Sequence, residues 1–374
     1  MNYFIFPDID TTLYQATGSG NTGLDEILEI QKTMSTSGGN IKVSRILMKF
    51  DLNEVSASIV DGTITNPKFY LNMFDANSQN LSTSQSLYAY PISQSWQEGQ
   101  GFFGDDPITT EGASWEFRDG LTQATRWSST VSASGGTWFS EVYASQSFEY
   151  ETDDMRMDVT PIVNKWLDET YPNEGFIIKR SGSFGNTDTN TDEGSQDRLG
   201  DFKFFSRQTH TIYPPKLEVE WYDTKWSTGS LDPLVSSELE DLIVYMKSLR
   251  PEYKEKSKVK FRLCGRGRYP TKSYSNTSSE YLTQKYLPSG SIENIGGDGA
   301  YYSVKDTQTE DVIIPYGTGS LISCDSTGNY FNLWMNGLQS ERYYKFEFKV
   351  VSGSNTDEET VQYFDDDFVF KVVR

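Results

Sequence analysis

The chain has 374 residues, 53 of them acidic and 33 basic, for a formal charge of -20. A field of that sign repels nucleic acid and anionic lipid, which argues against DNA packaging or membrane binding, and no apolar run approaches the ~20 residues of a membrane span. Aromatic residues at 14% are enough for real cores, so global disorder is excluded and the length suits two domains.

In chain order, Met1 to Pro7 is apolar, short and without a basic start, and reads as a first strand, not a secretory leader. Turn chemistry follows at Gly18 to Gly23 and Ser35 to Asn40. Phe69, Leu71 and Met73 then alternate with Tyr70 and Asn72, the period of a half-buried antiparallel strand. After further loops at Ser132 to Gly136, a helix is predicted over Val159 to Glu169. Asp158 is placed to cap it, Pro161 stands in its first turn, and Ile162, Val163, Trp166 and Leu167 lie on one side. The polar stretch Ser181 to Gly194 precedes the run Lys216-Leu217-Glu218-Val219-Glu220-Trp221, where apolar and charged residues alternate without a fault.

Lys225 to Val235 is a Gly/Ser/Pro-bearing connector, so the domains are placed at 1–224 and 236–374 with 225–235 as linker. Ser237 to Leu249 is open to two readings. Ser237 and Glu240 form a capping box, while Leu242 to Leu249 is rich enough in β-formers to be a strand. Alternation returns in Val259 to Leu263 and in Tyr344 to Val350, with turns at Tyr269-Pro270 and Leu287 to Gly290.

Asp10 to Tyr14, Asn21-Thr22-Gly23, Ser44 to Leu52, Trp96-Gln97-Glu98-Gly99, Gly112 to Trp115, Trp127, Trp138, Met157 to Phe176 and Tyr213 to Val219 form an ordered series in the first half. That series resembles the DNRLRE-type domain, a jelly-roll β-sandwich of cell-surface, carbohydrate-active and phage proteins. In the second half, Leu249 to Lys254, Arg266 to Pro270, Tyr301 to Asp306 and Asp365 to Lys371 stand in order. They resemble a module that follows such domains in virion proteins of marine and cyanobacterial contractile-tailed phages. The resemblance implies an all-β chain: a jelly-roll-like sandwich, then a smaller immunoglobulin-like sandwich with Tyr330–Trp334 and Tyr343–Val351 as central strands. It also favours a strand at Leu242–Leu249. The implied role is a non-enzymatic virion protein of neck, tail or baseplate. Its partners would be other virion proteins in a symmetric multi-copy assembly, with neither nucleic acid nor membrane.

The single histidine, His210, stands beside no nucleophile elbow, and two cysteines, Cys264 and Cys324, support neither a disulfide framework nor, with it, a four-ligand zinc site. Cys324 shares a strand face with Ile322, and Cys264 falls on the polar face of Lys258, Lys260 and Arg262. Gly265-Arg266-Gly267-Arg268 mimics a glycine-rich loop but opens no predicted helix. No cofactor is expected. Ca2+ is not predicted, since Asp105-Asp106, Thr187 to Glu193 and Asp365 to Asp367 are oxygen-rich without matching an EF-hand, although irregular jelly-roll loops of this kind leave it open. Glycosidase chemistry would draw on Glu98, Asp105, Asp106, Glu111 and Glu116 among Trp96, Phe102, Phe103 and Trp115; aromatics capping the core is the plainer reading. The alternative function is glycan binding, with Trp96, Trp115, Trp127 and Trp138 as candidate stackers, and Trp226 in the connector is the candidate interface anchor.

Overall fold

A computed structural model describes residues 1–34, 41–128, 134–149, 154–183, 191–234, 239, 241–269, 284–290, 298–352 and 360–374. The chain is all-β, 44% strand and 7% helix, with curled multi-strand sheets. It divides into two compact units, one of Ile5–Asp61 and Lys68–Val219, the other of Met1–Phe4, Gly62–Pro67 and Glu220–Arg374.

From the N-terminus the elements are β1 (Asn2–Ile5), β2 (Ile9–Tyr14), β3 (Ile27–Met34), β4 (Ile41–Lys49), α1 (Asn53–Val60), β5 (Lys68–Met73), β6 (Ser84–Pro91) and β7 (Ala144–Glu149). Next come β8 (Met155–Asp158), α2 (Thr160–Leu167), β9 (Phe176–Lys179), β10 (Gly200–Phe205) and β11 (Lys216–Glu220). In the first unit one sheet has the order β10-β3-β4-β9-β6-β7, with β2 also paired to β4, and β11, β5 and β8 lie side by side in another. The centre of the large sheet is the apolar run of β4, whose Ile46 and Leu47 face Ile178 and Ile177 of β9 in antiparallel register.

The alternation around β5 and β11 is real, but the polar side is covered along β11 and at Asn72 of β5. Phe69, Leu71 and Met73 are fully buried, and Asn72, Lys216 and Glu218 are buried as well. Because β11 lies next to β5, Glu218 accepts from Asn72 Nδ2 at 3.2 Å and from Arg156 Nε at 2.9 Å. Burial lowers the Lys216 ammonium to about 8.

Helix α2 forms where its apolar spacing predicts, but its N-cap residue is Val159 with no side-chain cap bond, and Asp158 stands one residue earlier. Asp158 accepts the Thr160 N–H at 3.0 Å, and Ile162, Val163 and Trp166 are buried. It is shorter than the apolar pattern suggested, ending at Leu167. Helix α1 was not expected from the sequence; it is eight residues long, and of these only Val55 is buried.

Asn21 ties two loops together. Its Nδ2 donates to the carbonyls of Glu98 (2.6 Å) and Ala113 (2.8 Å), and its Oδ1 accepts from the N–H groups of Gly23 (3.1 Å) and Gly101 (2.9 Å). All four polar valences are used. Gly99 and Gly112 have φ of 84° and 107°, and a Cβ on either would strike Asn21.

The second unit contains β12 (Asp232–Pro233), β13 (Leu242–Lys247), β14 (Glu252–Lys254), β15 (Lys258–Gly267), β16 (Lys285–Tyr286) and β17 (Gly299–Asp306). It continues with β18 (Val312–Ile314), β19 (Ser323–Asp325), β20 (Gly328–Trp334), β21 (Tyr343–Ser352) and β22 (Thr360–Val373). One sheet has the order β12-β16-β15-β20-β19 with β13 on β15, the other β14-β22-β21-β17-β18. The two share a core in which Phe261 meets Phe331 (5.2 Å) and Phe346 (4.9 Å), and Phe346 meets Phe370 (4.7 Å). Phe4 joins that core, and Asn336 Nδ2 donates to its carbonyl at 2.6 Å.

Leu242–Lys247 is a strand, antiparallel to β15 from Leu242↔Gly267 to Lys247↔Arg262. The capping-box residues Ser237 and Glu240 and the turn residue Pro270 lie outside the described residues. The connecting stretch is drawn into the same sheet: Ser227 N–H donates to the Cys324 carbonyl at 3.0 Å, and β12 pairs in parallel with β16.

Candidate functional site

The first unit carries an ionic cluster beneath a partly open aromatic face. Arg45 projects from β4 and Lys179 from β9, and both reach Glu193, all three side chains being about 1% exposed. Arg45 Nε and Nη2 form a fork on Glu193 Oε1 (3.1 Å) and Oε2 (2.5 Å). Such a bidentate pair is the geometry in which a buried guanidinium is best compensated. Its Nη1 donates to the Gly135 carbonyl, and its Cζ lies 4.8 Å from the Trp115 ring centroid and 5.1 Å from that of Trp138. Lys179 Nζ stands 3.6 Å from Glu193 Oε1 and donates to the carbonyls of Arg180 and Gly182. Burial lowers that ammonium to about 8, against the opposing pull of Glu193. Lys32 Nζ, also buried, bonds the Ser195 carbonyl (3.0 Å) and hydroxyl (2.8 Å).

Above this floor, the alternation of β6 puts Tyr88 and Tyr90 on one face, with ring centroids 6.4 Å apart. Tyr143 touches both, at 5.9 Å and 5.7 Å, and is 52% exposed. Trp138 completes the group at 6.0 Å from Tyr90, with Lys179 Nζ over it at 5.1 Å. The result is an aromatic platform on a cationic base. It offers rings for stacking and phenolic hydroxyls for hydrogen bonding.

Of the tryptophans expected as stackers, Trp138 is half-buried within this platform, whereas Trp96, Trp115 and Trp127 are buried. Trp96 Nε1 donates to the Glu174 carbonyl and Trp127 Nε1 to the Ser114 carbonyl, both at 2.9 Å, so these rings serve the loops they anchor. Trp226, in the second unit, is half-buried, bridged to Cys324 and edge-on to Tyr286 at 6.1 Å.

The acids singled out for glycosidase chemistry hold loops in place. Glu98 takes both oxygens to Arg207 (2.9 and 3.0 Å), Asp105 accepts from Phe102 N–H and the Thr109 hydroxyl, Glu111 accepts from Thr122, and Glu116 pairs with Arg126 at 3.1 Å. Asp106 is exposed. His210 is 91% exposed, 3.6 Å from Glu26.

Cys264 and Cys324 are free thiols, both buried. Cys264 lies on the face of Lys258, Lys260 and Arg262, as the alternation predicts, but is itself covered: Tyr245 stands opposite it in register, and burial raises its thiol. Gly265 to Gly267 belong to β15, so the glycine-rich mimic is strand. Among the described residues no group of three or more His, Cys, Asp or Glu is placed to hold a metal; Thr187 to Asn190 lie outside them.

Tyr88, Tyr90 and Tyr143 escaped sequence reasoning, as did the ion cluster. The signals were present: Ser86-Leu87-Tyr88-Ala89-Tyr90 alternates, and Arg45 and Lys179 adjoin the apolar runs Ile46-Leu47-Met48 and Phe176-Ile177-Ile178. A cation in a strand does not reveal its counter-ion, here supplied from 148 positions away.

No family model matches the chain, and no curated protein matches it. Among solved structures, it is similar to a DUF4785 family protein from Legionella pneumophila at 8% identity and a TM-score of 0.21, over 100% of this chain and 62% of that one. The chain thus spans less than two thirds of that protein's length.

Proposed function

We propose that this chain is a non-enzymatic structural component of a tailed-phage particle, working through protein–protein contacts in a symmetric, many-copy assembly. In this reading the first unit is the jelly-roll-like sandwich of the DNRLRE-type resemblance and the second an immunoglobulin-like sandwich. The observation that carries it is how the polar groups are used. Arg45, Lys179, Lys32, Asn21 and Glu98 are bonded to loop carbonyls and loop counter-ions. They stiffen surfaces and present no reactive group. Outside them, loop aromatics such as Phe102 and Phe103 stand 48% and 56% exposed, the residue class that anchors interfaces. Mass spectrometry and immunogold labelling of density-purified particles test this. A constant copy number with label at one place is expected; a chain confined to the particle-free fraction overturns it.

A second reading, glycan attachment, is favoured by Tyr88, Tyr90, Tyr143 and Trp138 lying together on one sheet face. It requires retention on immobilised polysaccharide that the Tyr88→Ala/Tyr90→Ala variant loses.

A further inference from the structure

The second unit carries a feature at odds with its chain. A groove of about 810 Å³ is lined by Lys247, Arg250, Lys254, Lys258, Lys260 and Arg262, with Glu252 as its one lining acid. Two of these cations are engaged, Arg262 and Lys260 holding Asp325 at 2.6 and 3.0 Å. Lys258 lies 5.2 Å from the Trp334 ring. Lys247, Arg250 and Lys254 are exposed, and no carboxylate pairs with them among the described residues. Lys247 stands directly across from Arg262 in the antiparallel register, where like charges repel. In a chain of net charge -20, a basic surface of this kind is held together best when an anion covers it.

The same unit displays a fitting anion elsewhere. Strand β22 shifts register against β21, so that Phe368 faces Phe346 and Phe364 faces Phe348. Asp365, Asp366 and Asp367 are left between them as an exposed bulge, with Asp367 at a φ of 51°. Lys345 reaches Asp365 at 3.4 Å; Asp366 and Asp367 have no cation partner among the described residues. Exposed Tyr363 and Val369 flank the bulge with apolar area. The groove meets this strand through its β14 rim, at the C-terminal end of β22, where Lys254 pairs with Val373. At about 3.3 Å per residue, ~20 Å separates the bulge from that end, so a chain's own bulge does not fill its own groove.

We propose that the basic groove takes the Asp365–Asp367 bulge of a second copy of this chain. The inference rests on the contact-protein reading and names one of its contacts. Because groove and bulge are different patches, the contact is head-to-tail and propagates to a ring or an open filament.

The test uses the full chain in sedimentation velocity over a concentration series, with two charge-reversed variants. Concentration-dependent association of the wild type is expected. It should weaken at least about tenfold in K247E/R250E/K254E and equally in D365K/D366K/D367K, since like charges across a contact are strongly unfavourable. Mixing the two variants should restore association, because each then meets its complement, while either alone stays dispersed. Circular dichroism of each variant guards against misfolding. A wild type that remains monomeric overturns the inference, as does a mixture without rescue. So does unchanged association of the groove variant accompanied by lost retention on an anionic polysaccharide, which assigns the groove to a polyanion. None of these results changes whether the chain is found in particles, so the broader reading stands or falls separately.

Discussion

Arg45 and Lys179 share Glu193 at a place where water does not reach any of the three. Two cations and one carboxylate in that setting hold only while the carboxylate stays. Glu193→Gln keeps the shape but leaves both cations without its charge, and a loss of about 3–5 kcal/mol in unfolding free energy is expected by denaturant titration. Arg126→Ala, which breaks the exposed pair with Glu116, should stay within about 1 kcal/mol. Equal small losses in both would mean that the buried cluster contributes no more than a surface pair. Asp10 presents a different case. Burial, with Glu98 adding to it, raises its carboxyl to about 7, while the Arg207 N–H bonds one oxygen at 2.7 Å. Between the unfolded value near 3.8 and about 7, the folded state holds a proton that the unfolded state has released. Stability from this group therefore falls as pH rises through that window. Asp10→Asn removes the titration, so its stability relative to wild type should climb from pH 4 to pH 7.5. A flat difference would show that the carboxyl is ionised throughout.

At the scale of elements, the motif residues of the first half gain a physical reason. Asn21, Glu98-Gly99 and Gly112-Ala113 meet in one knot whose hydrogen bonds are all to backbone. Asn21→Ala leaves two carbonyls and two N–H groups without partners, at a cost of about 3 kcal/mol or more. Hydrogen exchange should then quicken at the Gly23 and Gly101 amides while β4 stays protected; uniform quickening would mean that the knot is part of the global fold. Strands were legible wherever period two ran clean, as in Val259 to Leu263 and Tyr344 to Val350, because one face of each packs into the shared phenylalanine core. The pattern did not reveal that the polar face of Lys216 to Glu220 is covered. Alternation reports two environments and says nothing of whether the second is solvent or another strand. The ambiguous Leu242 run was resolved by pairing with β15, a long-range fact outside any local window.

At the scale of the whole molecule, the strand-rich class was readable from composition and period, whereas the candidate site was readable only in fragments. Tyr88, Tyr90, Tyr143 and Trp138 come from positions up to 55 residues apart, and only the sheet brings them together. The same limit applies to Met1–Phe4, which sequence order assigns to the first half and contacts assign to the unit of Glu220–Arg374. Phe4 is 3% exposed within the core of Phe261, Phe331 and Phe346. Two units with separate cores should melt in two calorimetric transitions. Phe4→Ala, a buried aromatic truncation expected to cost about 3–5 kcal/mol, should lower one of them. Glu193→Gln should lower the other. If Phe4→Ala instead shifted the transition that Glu193→Gln shifts, the N-terminal residues would belong energetically to the first unit, and the division by contacts would not be the division by cooperativity.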